Sequence, residues 1–211
     1  MDIAVFVSGG GTNLQAIIDN IRTGVLSGVR IRIVIASKEG IYAIERSRAA
    51  GIPYKVISRK QYPEAEEFHA VLTDALKPYK IDLVVLAGYL SRLSERFIDE
   101  YRNRIINIHP ALIPSFCGEG MYGIRPHIEA IRRGVKITGA TVHFVDRDYD
   151  NGPIILQKPV EVLDDDTPES LQARVMDLAE QIILPEAVRL IRDNRVSITS
   201  DGRRTRLKDQ V

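Results

Sequence analysis

The chain has 211 residues, of which 45% are hydrophobic, enough to bury a full core in one large domain or two small ones. Its 29 basic and 28 acidic residues nearly cancel, which argues against a general nucleic-acid-binding protein. Its one cysteine, Cys117, cannot form a disulfide framework, and no apolar run approaches the roughly 18 residues that span a bilayer. No basic segment precedes the first strand, so we expect a soluble, cytoplasmic protein without membrane or nucleic-acid partners.

The first half of the chain alternates strands and helices. Five apolar, β-rich runs predict strands at 3–7, 29–36, 54–57, 81–87 and 105–108. The helical spacing of apolar residues predicts helices between them, at 13–22, 41–50, 65–79 and 96–101. The run 81–87 is almost unbroken, which indicates a strand buried on both faces. This alternation predicts a doubly wound, mostly parallel α/β sheet.

The order of elements changes after His109. Two β-rich runs, 138–145 and 154–160, predict long antiparallel strands separated by a turn. Thr167 and Pro168 predict the start of a long helix that continues toward residue 191. A turn at 200–202 predicts a small terminal hairpin. No linker or repeat interrupts this pattern, so we expect a single domain over 1–211.

A glycine-rich loop, Ser8 to Asn13, lies between the first strand and the first helix. Backbone N–H groups at a helix N-terminus bind anions, and glycine lets the backbone approach them closely. The loop therefore favours a phosphate site, with a plain tight turn as the alternative. It is not a convincing dinucleotide fingerprint, because Leu14 replaces the third glycine and Ser37 stands where an acid would bind ribose.

Asn107 and His109 stand at the end of the fifth predicted strand. In parallel α/β sheets the ligand crevice lies outside the carboxyl ends of the strands. Alternate residues of a strand point to the same side, so both side chains can face one cleft. An amide and an imidazole can hold an oxyanion and move a proton. We predict that the pair is catalytic, with a structural histidine as the alternative.

The turn over 146–153 contains three aspartates, Asp146, Asp148 and Asp150. One of them beside His109 would orient the imidazole and raise its pKa by stabilising the cation. The other two are expected to serve the turn itself. Position alone does not choose among the three.

The remaining histidines and the cysteine lack metal-ligand spacing, so no metal is expected. His143 is predicted to be a hydrogen-bonded core residue and His69 to lie on the surface. His127 stands at a helix start after a proline, from which it can face the cleft. A nucleophilic Cys117 is disfavoured because no partner base is evident.

Three motifs, in this order, closely resemble those of the folate-dependent formyltransferases: Ser8-Gly9-Gly10-Gly11-Thr12-Asn13-Leu14-Gln15, Asn107-Ile108-His109-Pro110-Ala111-Leu112-Ile113-Pro114 and Asp150-Asn151-Gly152-Pro153. The resemblance covers roughly residues 1 to 190. The Asn-x-His pattern and the later Asp are shared across the wider family. The glycine loop points to the branch that formylates phosphoribosylglycinamide, and the segment 89–94 matches less strictly.

The resemblance implies a role for each matching residue. Gly11, Thr12 and Asn13 would hold the substrate phosphate, and Glu180 would contact the ribonucleotide. The catalytic residues would be Asn107, His109 and Asp150. Folate would bind against residues from both halves of the chain: Leu90, Ser91, Arg92, Leu93, Asn107, Asp146, Arg147, Asp148, Tyr149 and Asp150. The half at about 1–100 would then bind phosphate, and the half at about 101–211 would bind folate and carry the chemistry.

The sequence departs from the family pattern in three places. The segment 115–123 is longer and richer in glycine, which predicts a lid or a local insertion. The basic residue that some members place on the folate tail has no clear match, with Arg59 and Lys60 as the candidates. A difference of one residue in length falls at 176–179, just before Glu180.

The expected reaction is formyl transfer from 10-formyltetrahydrofolate, the co-substrate, to the amine of phosphoribosylglycinamide in purine biosynthesis. The amine would attack the formyl carbon directly, without a metal or a covalent enzyme intermediate. Two alternatives stay open, a 10-formyltetrahydrofolate hydrolase and a non-catalytic sensor of phosphoribosyl ligands. Small-molecule substrates are the expected partners, and the chain is expected to be a monomer or a homodimer.

Overall fold

The computed structural model describes residues 1–208. The chain forms two compact units that divide between Asn107 and Ile108. The prediction of one domain over 1–211 therefore stays a prediction, and each unit is described by itself. Within residues 1–208, none of the helices combines the length and apolar character needed to cross a membrane.

The first unit alternates strands with helices, as the sequence predicts. Its strands are β1 (Asp2–Val7), β2 (Arg30–Ala36), β3 (Tyr54–Val56), β4 (Leu83–Leu86) and β5 (Ile105–His109), whose last two residues belong to the second unit. Its helices are α1 (Thr12–Arg22), α2 (Tyr42–Ala49), α3 (Ala65–Leu76) and α4 (Glu95–Glu100), with a 3₁₀ turn at Lys77–Tyr79. Every boundary lies within a few residues of its predicted position.

Strand β1 lies in the middle of the first unit's sheet, between β2 and β4, and both pairings are parallel. Its residues Ile3 to Val7 are fully buried, which explains why the run carries no polar side chain. The chain leaves β1 toward β2 and later returns to β4 on the other side. Residues that follow β1 and β4 therefore stand at the switch point where α/β sheets bind ligands.

The second unit contains a long antiparallel pair and a run of helices. Its elements are α5 (Arg125–Arg133), β6 (Ile137–Phe144), β7 (Ile154–Glu161), α6 (Pro168–Val175), α7 (Gln181–Arg192), β8 (Val196–Ile198) and β9 (Thr205–Leu207). Strands β6 and β7 pair antiparallel, as do β8 and β9. Helix α5 was signalled in the sequence only by Pro126, which stands at its start.

One sheet has seven strands in the order β3-β2-β1-β4-β5-β6-β7, and β8-β9 form a second, two-stranded sheet. The pairings β2–β3 and β4–β5 are parallel, like those of β1. The predicted fold class is confirmed: a mostly parallel α/β sheet with antiparallel strands toward the C-terminus.

The long helix predicted after Thr167 contains an irregularity. It starts as expected, because the Thr167 side chain accepts the N–H of Ser170 and the Ser170 hydroxyl accepts the N–H of Thr167. Between α6 and α7, residues Met176–Glu180 form a π-helical segment. This segment includes 176–179, where the sequence differs by one residue in length from the family pattern.

Candidate active site

The glycine-rich loop leads from β1 directly into α1. Gly9 and Gly10 are exposed, Thr12 is half-buried as the first residue of the helix, and Asn13 is buried. Gly11 is the N-cap residue and its backbone is left-handed, with φ 73°. The N-terminus of an 11-residue helix thus follows the exposed glycines, an arrangement suited to an anion.

Gly11 cannot be replaced by a residue with a side chain without disturbing the loop. A Cβ atom at this position would lie 2.7 Å from the Cβ of Ala43 on α2. The left-handed φ adds a second cost for any other L-residue. Arg46, on the same helix, donates from Nε to the carbonyl of Gly10 at 2.9 Å, so α2 supports the loop from one side.

The segment predicted to bind the pterin, Leu90 to Leu93, follows β4 in the first unit. Leu90 is 58% exposed, while Tyr89 and Leu93 are buried on either side of it. The Leu90 N–H donates to the Ser8 hydroxyl at 2.9 Å, which links this segment to the glycine-rich loop. Leu90 and Arg92 are exposed, and Ser91 is half-buried.

The candidate folate-tail residue Arg59 has contacts within its own segment of the first unit. Its guanidinium donates to the carbonyl of Tyr62 and lies 5.4 Å from the centroid of the Phe68 ring. Its assignment to a folate tail stays a prediction, as does that of Lys60.

Asn107 closes the first unit on β5, and His109 lies two residues further along the same strand. Asn107 is half-buried, whereas His109 is only 3% exposed. The alternation of β5 directs both side chains to one side of the strand.

His109 has an acceptor at each ring nitrogen. Nδ1 lies 3.4 Å from Oδ2 of Asp150, and Nε2 lies 2.9 Å from the carbonyl oxygen of Phe116. A carbonyl can only accept, so Nε2 carries a hydrogen in this arrangement. His109 is therefore oriented as a donor through Nε2, with a carboxylate behind Nδ1.

The pKa of His109 lies below its ordinary value. Burial lowers it most, and nearby His143 lowers it further, while Asp150 and the Phe116 carbonyl act in the opposite direction. The expectation that Asp150 would raise the pKa of His109 is correct for its own contribution. It is wrong for the net pKa of His109, because burial of the ring lowers the pKa by more than the Asp150 carboxylate raises it.

Asp150 contacts a second imidazole and a backbone donor. His143 Nε2 lies 3.6 Å from its Oδ1, and the Gly118 N–H donates to its Oδ2 at 3.0 Å. Burial acts to raise the pKa of Asp150, but the interactions with His143, His109 and Gly118 outweigh it, and the pKa lies below its ordinary value. Asp150 is therefore an anion at neutral pH.

The structure distinguishes the three aspartates of the 146–153 turn. Asp146 accepts the N–H of Asp148 at 3.1 Å, an Asx turn, and Asp148 is exposed. Only Asp150 faces His109. Gly152 completes the turn, and a Cβ there would lie 1.9 Å from the carbonyl oxygen of Phe144. Glycine at 152 is thus required for the backbone conformation of the turn that places Asp150 beside His109.

Two other histidines lie in the core of the second unit. His143 is buried and its Nδ1 lies 2.8 Å from its neighbour's carbonyl, as predicted for a hydrogen-bonded core residue, but it also faces Asp150. His127 is fully buried on α5. Neither of its ring nitrogens has a hydrogen-bond partner among residues 1–208. Burial, together with His109, lowers the pKa of His127 to about 4.

His69, in the first unit, does not lie on the surface as predicted. It is 5% exposed, its ring packs edge-on against Phe97, and its Nε2 lies 3.6 Å from Glu100. The face of α3 that carries it is buried against α4, which the helical pattern alone did not reveal.

The glycine-rich segment 115–123 contacts both residues of the His109–Asp150 pair. Phe116 provides the carbonyl at His109, and Gly118 provides the N–H at Asp150. The Cys117 thiol donates to the Pro114 carbonyl at 3.3 Å, and burial and Asp150 raise its pKa. A raised pKa leaves Cys117 protonated, which is unfavourable for a nucleophile.

Glu180 is the last residue of the π-helical segment and is only 4% exposed. A buried carboxylate needs partners to remain charged, and Glu180 has at least one interaction with another group.

A cavity of about 390 Å³ in the second unit was not foreseen from the sequence. It is lined by Tyr149 to Gly152, by parts of the 113–117 segment, and by Arg203 to Thr205 of the terminal hairpin. The Thr205 hydroxyl donates to the Ile154 carbonyl at 2.6 Å, which fixes the hairpin there. Contacts between residues about fifty positions apart leave no local signal in a sequence.

The comparison with known families decides where the chain belongs. The family model described as formyl transferase matches residues 1–188. The chain belongs to the formyl transferase family. Its resemblance to folate-dependent formyltransferases is thereby confirmed. Among residues 1–208, no group of histidine, cysteine, aspartate and glutamate is arranged to hold a metal ion.

Relatives within the formyl transferase family include proteins of several lengths. The chain is 39% identical over 208 residues to the trifunctional purine biosynthetic protein adenosine-3 of Homo sapiens, an alignment covering 99% of this chain and 20% of that protein. It therefore spans about a fifth of the length of this curated relative.

Two solved structures are similar to this chain over nearly its whole length. Glycinamide ribonucleotide transformylase 1 from Symbiobacterium toebii has a TM-score of 0.91 and 42% identity, covering 99% of this chain and 94% of that one. A formyltetrahydrofolate deformylase from Pseudomonas syringae has a TM-score of 0.87 and 27% identity, covering 99% of this chain and 66% of that one.

Proposed function

We propose that this protein transfers the formyl group of 10-formyltetrahydrofolate to the amine of phosphoribosylglycinamide, a step of purine biosynthesis. The observation that carries the proposal is the His109–Asp150 pair: His109 is the last residue of β5, the strand that also carries Asn107, and Asp150 faces its ring, in a member of the formyl transferase family. The similarity to a glycinamide ribonucleotide transformylase over 94% of that chain supports the choice of acceptor.

His109 would donate a hydrogen bond to the formyl oxygen as negative charge develops on it. Its Nε2 holds the Phe116 carbonyl oxygen at 2.9 Å, within the range at which an oxyanion is stabilised. We propose that the formyl oxygen takes the place of this carbonyl when the substrates bind. A lowered pKa does not prevent the role, because the neutral tautomer with hydrogen on Nε2 still donates.

Asn107 and Asp150 would complete the catalytic group. The Asn107 amide, on the same strand as His109, would be a second donor to the oxyanion. Asp150, an anion, would orient the His109 ring and stabilise the positive charge that develops when both ring nitrogens carry hydrogen.

The bonds and protons of the transfer balance without any further reactant. The amine nitrogen forms a bond to the formyl carbon, and the bond from that carbon to N10 of the folate breaks. The proton that the amine loses is the one that N10 gains. We propose that a water molecule ordered near Asp150 carries it.

The two substrates would be held by the segments named from the sequence. Gly11, Thr12 and Asn13 would bind the phosphate through the N-terminus of α1, and Glu180 would bind a hydroxyl or the amine of the ribonucleotide. Leu90 to Leu93 and the turn Asp146 to Asp150 would bind the folate.

A spectrophotometric assay tests this proposal. The protein is supplied with a 10-formyl folate analogue, and release of the deformylated folate is followed with and without phosphoribosylglycinamide. Release that depends on the ribonucleotide is the expected result. Release at the same rate in its absence would overturn the transferase assignment.

A second candidate function is hydrolysis of the formyl folate, with water in place of the amine. The specific observation behind it is the similarity to a deformylase across 99% of this chain. The same assay separates the two, because a hydrolase releases formate whether or not the ribonucleotide is present.

A further inference from the structure

A single buried hydroxyl joins the ends of three neighbouring strands in the first unit. Ser8, which follows β1, is 6% exposed. Its Oγ accepts the N–H of Leu90 at 2.9 Å and the hydroxyl of Ser37 at 2.7 Å. Leu90 lies beyond the end of β4, and Ser37 follows β2. These contacts meet at the switch point of the sheet.

From these contacts, we propose that Ser8 is a positioning residue that couples binding of the ribonucleotide to binding of the folate. The inference rests on the proposed function, since it takes the glycine-rich loop as the phosphate site and the segment 90–93 as part of the folate site. Ser8 itself need not touch either substrate.

Each loop also has contacts of its own: Arg46 donates to the Gly10 carbonyl, and Tyr89 and Leu93 are buried on either side of Leu90. The Leu90 side chain is 58% exposed, and the hydrogen bond from its N–H to Ser8 ties this residue to the glycine-rich loop. Gly9 and Gly10 have no side chains to anchor them, and the peptide after Ser8 is the first of the loop. A shift of Ser8 therefore displaces the start of one binding segment and releases the other.

Arg46 offers a contrast within the same unit. It supports the glycine-rich loop from the side of α2, through Gly10 and Gln15, and none of its described contacts is with Leu90. Loss of Arg46 should weaken ribonucleotide binding alone, whereas loss of the Ser8 hydroxyl should weaken both substrates.

The test compares Ser8→Ala, Ser37→Ala and Arg46→Ala with wild type. Because Ser8→Ala removes the hydrogen bond between the two loops, we expect its affinity for each substrate to fall by about 2- to 10-fold. We expect kcat to change less than either KM. Thr23→Ala is the matched control, since it removes a hydroxyl that bonds only to carbonyls at the end of α1. Binding of each ligand is measured by calorimetry, and thermal unfolding reports the stability of each variant.

Two further readouts separate coupling from a general loss of structure. In wild type, the affinity for the ribonucleotide should differ with and without the folate analogue, and this difference should shrink in Ser8→Ala. The double variant with Ser37→Ala should bind no worse than Ser8→Ala, because Ser37 acts through the Ser8 oxygen. If Ser8→Ala does not fold, Ser37→Ala carries the test, with smaller losses for both ligands.

Weakening of only one substrate, or unchanged affinities with a lowered melting temperature, would overturn the proposed coupling. The proposed function fails separately, if wild type shows no release of folate that depends on the ribonucleotide. The calorimetric titrations still decide the coupling in that case, because they require binding and not turnover.

Discussion

At the scale of single residues, Asp150 is the centre of the candidate site. One carboxylate faces two imidazoles, His109 at 3.4 Å and His143 at 3.6 Å. Two residues beside the His109 ring have a left-handed backbone, Asp150 with φ 51° and Phe116 with φ 49°. Such conformations cost free energy outside glycine and concentrate at functional sites.

Replacement of the two proposed oxyanion donors should remove turnover and leave binding. We expect Asn107→Ala to lower kcat by about 10²- to 10³-fold and His109→Ala by at least as much, because each removes a donor that acts on the developing charge. Affinity for the ribonucleotide should change little. Single-turnover kinetics and calorimetry measure the two effects, with Asn20→Ala on α1 as the control. Turnover near that of wild type in either variant would refute the assignment.

His127 should make the fold sensitive to acid. Its pKa is lowered from 6.5 to about 4, so the unfolded chain binds a proton between these values that the folded chain does not. The contribution of neutral His127 to the free energy of unfolding is therefore fully present above about pH 6.5 and is lost as the pH falls toward 4. Between pH 7 and pH 4.5, wild type should lose about 2–3 kcal/mol more unfolding free energy than His127→Phe. Urea denaturation at both pH values measures the difference, and equal losses in the two proteins would contradict it.

At the scale of elements, the glycine-rich loop shows how a neighbouring helix defines a binding segment. The φ of 73° at Gly11 and the proximity of Ala43 both exclude a side chain there. We expect Gly11→Ala to weaken binding of phosphoribosylglycinamide by at least about 10-fold. The loop must shift to make room for the methyl group, and this shift would take its N–H groups out of hydrogen-bonding distance of the phosphate. Gly24→Ala is the matched control, because Gly24 also has a positive φ but has open space around it. If Gly11→Ala and Gly24→Ala bind phosphoribosylglycinamide with similar affinity, the loop does not form the phosphate site.

The π-helical segment between α6 and α7 has a testable consequence at Glu180. If its charge binds the ribonucleotide, Glu180→Gln should raise the KM for phosphoribosylglycinamide by about 10-fold or more, through loss of a charge-assisted hydrogen bond. The KM for the folate analogue should not change. Glu186→Gln, on the next turn, is the control because Glu186 pairs with Arg189 instead. A rise in both KM values, or in neither, would argue against this role.

At the scale of the whole molecule, the alternation of strands and helices could be predicted from the sequence. The apolar runs are long and distinct, so strands such as β1 and β4 were placed within two residues. The motifs at Ser8, Asn107 and Asp150 carried the family resemblance that the family match confirms. Local patterns suffice where each element is determined by its own residues.

Features that depend on tertiary contacts could not be predicted. The burial of His69 against α4, the pKa of His109 and the cavity beside the terminal hairpin each depend on residues distant in sequence. Position in the turn does not choose among the three aspartates; the family resemblance points to Asp150, and the structure places that residue beside His109. The link from Ser8 to Leu90 joins positions 82 residues apart.

The most direct test of formyl transfer to the ribonucleotide follows the formyl group itself. Protein, phosphoribosylglycinamide and a folate donor with an isotopically labelled formyl carbon are incubated together, and the ribonucleotide product is identified by mass spectrometry. If the protein is the proposed transferase, one labelled formyl group appears on the amine of the ribonucleotide. It should form at the rate at which deformylated folate appears. Labelled formate with unmodified ribonucleotide would contradict it and identify the protein as a hydrolase.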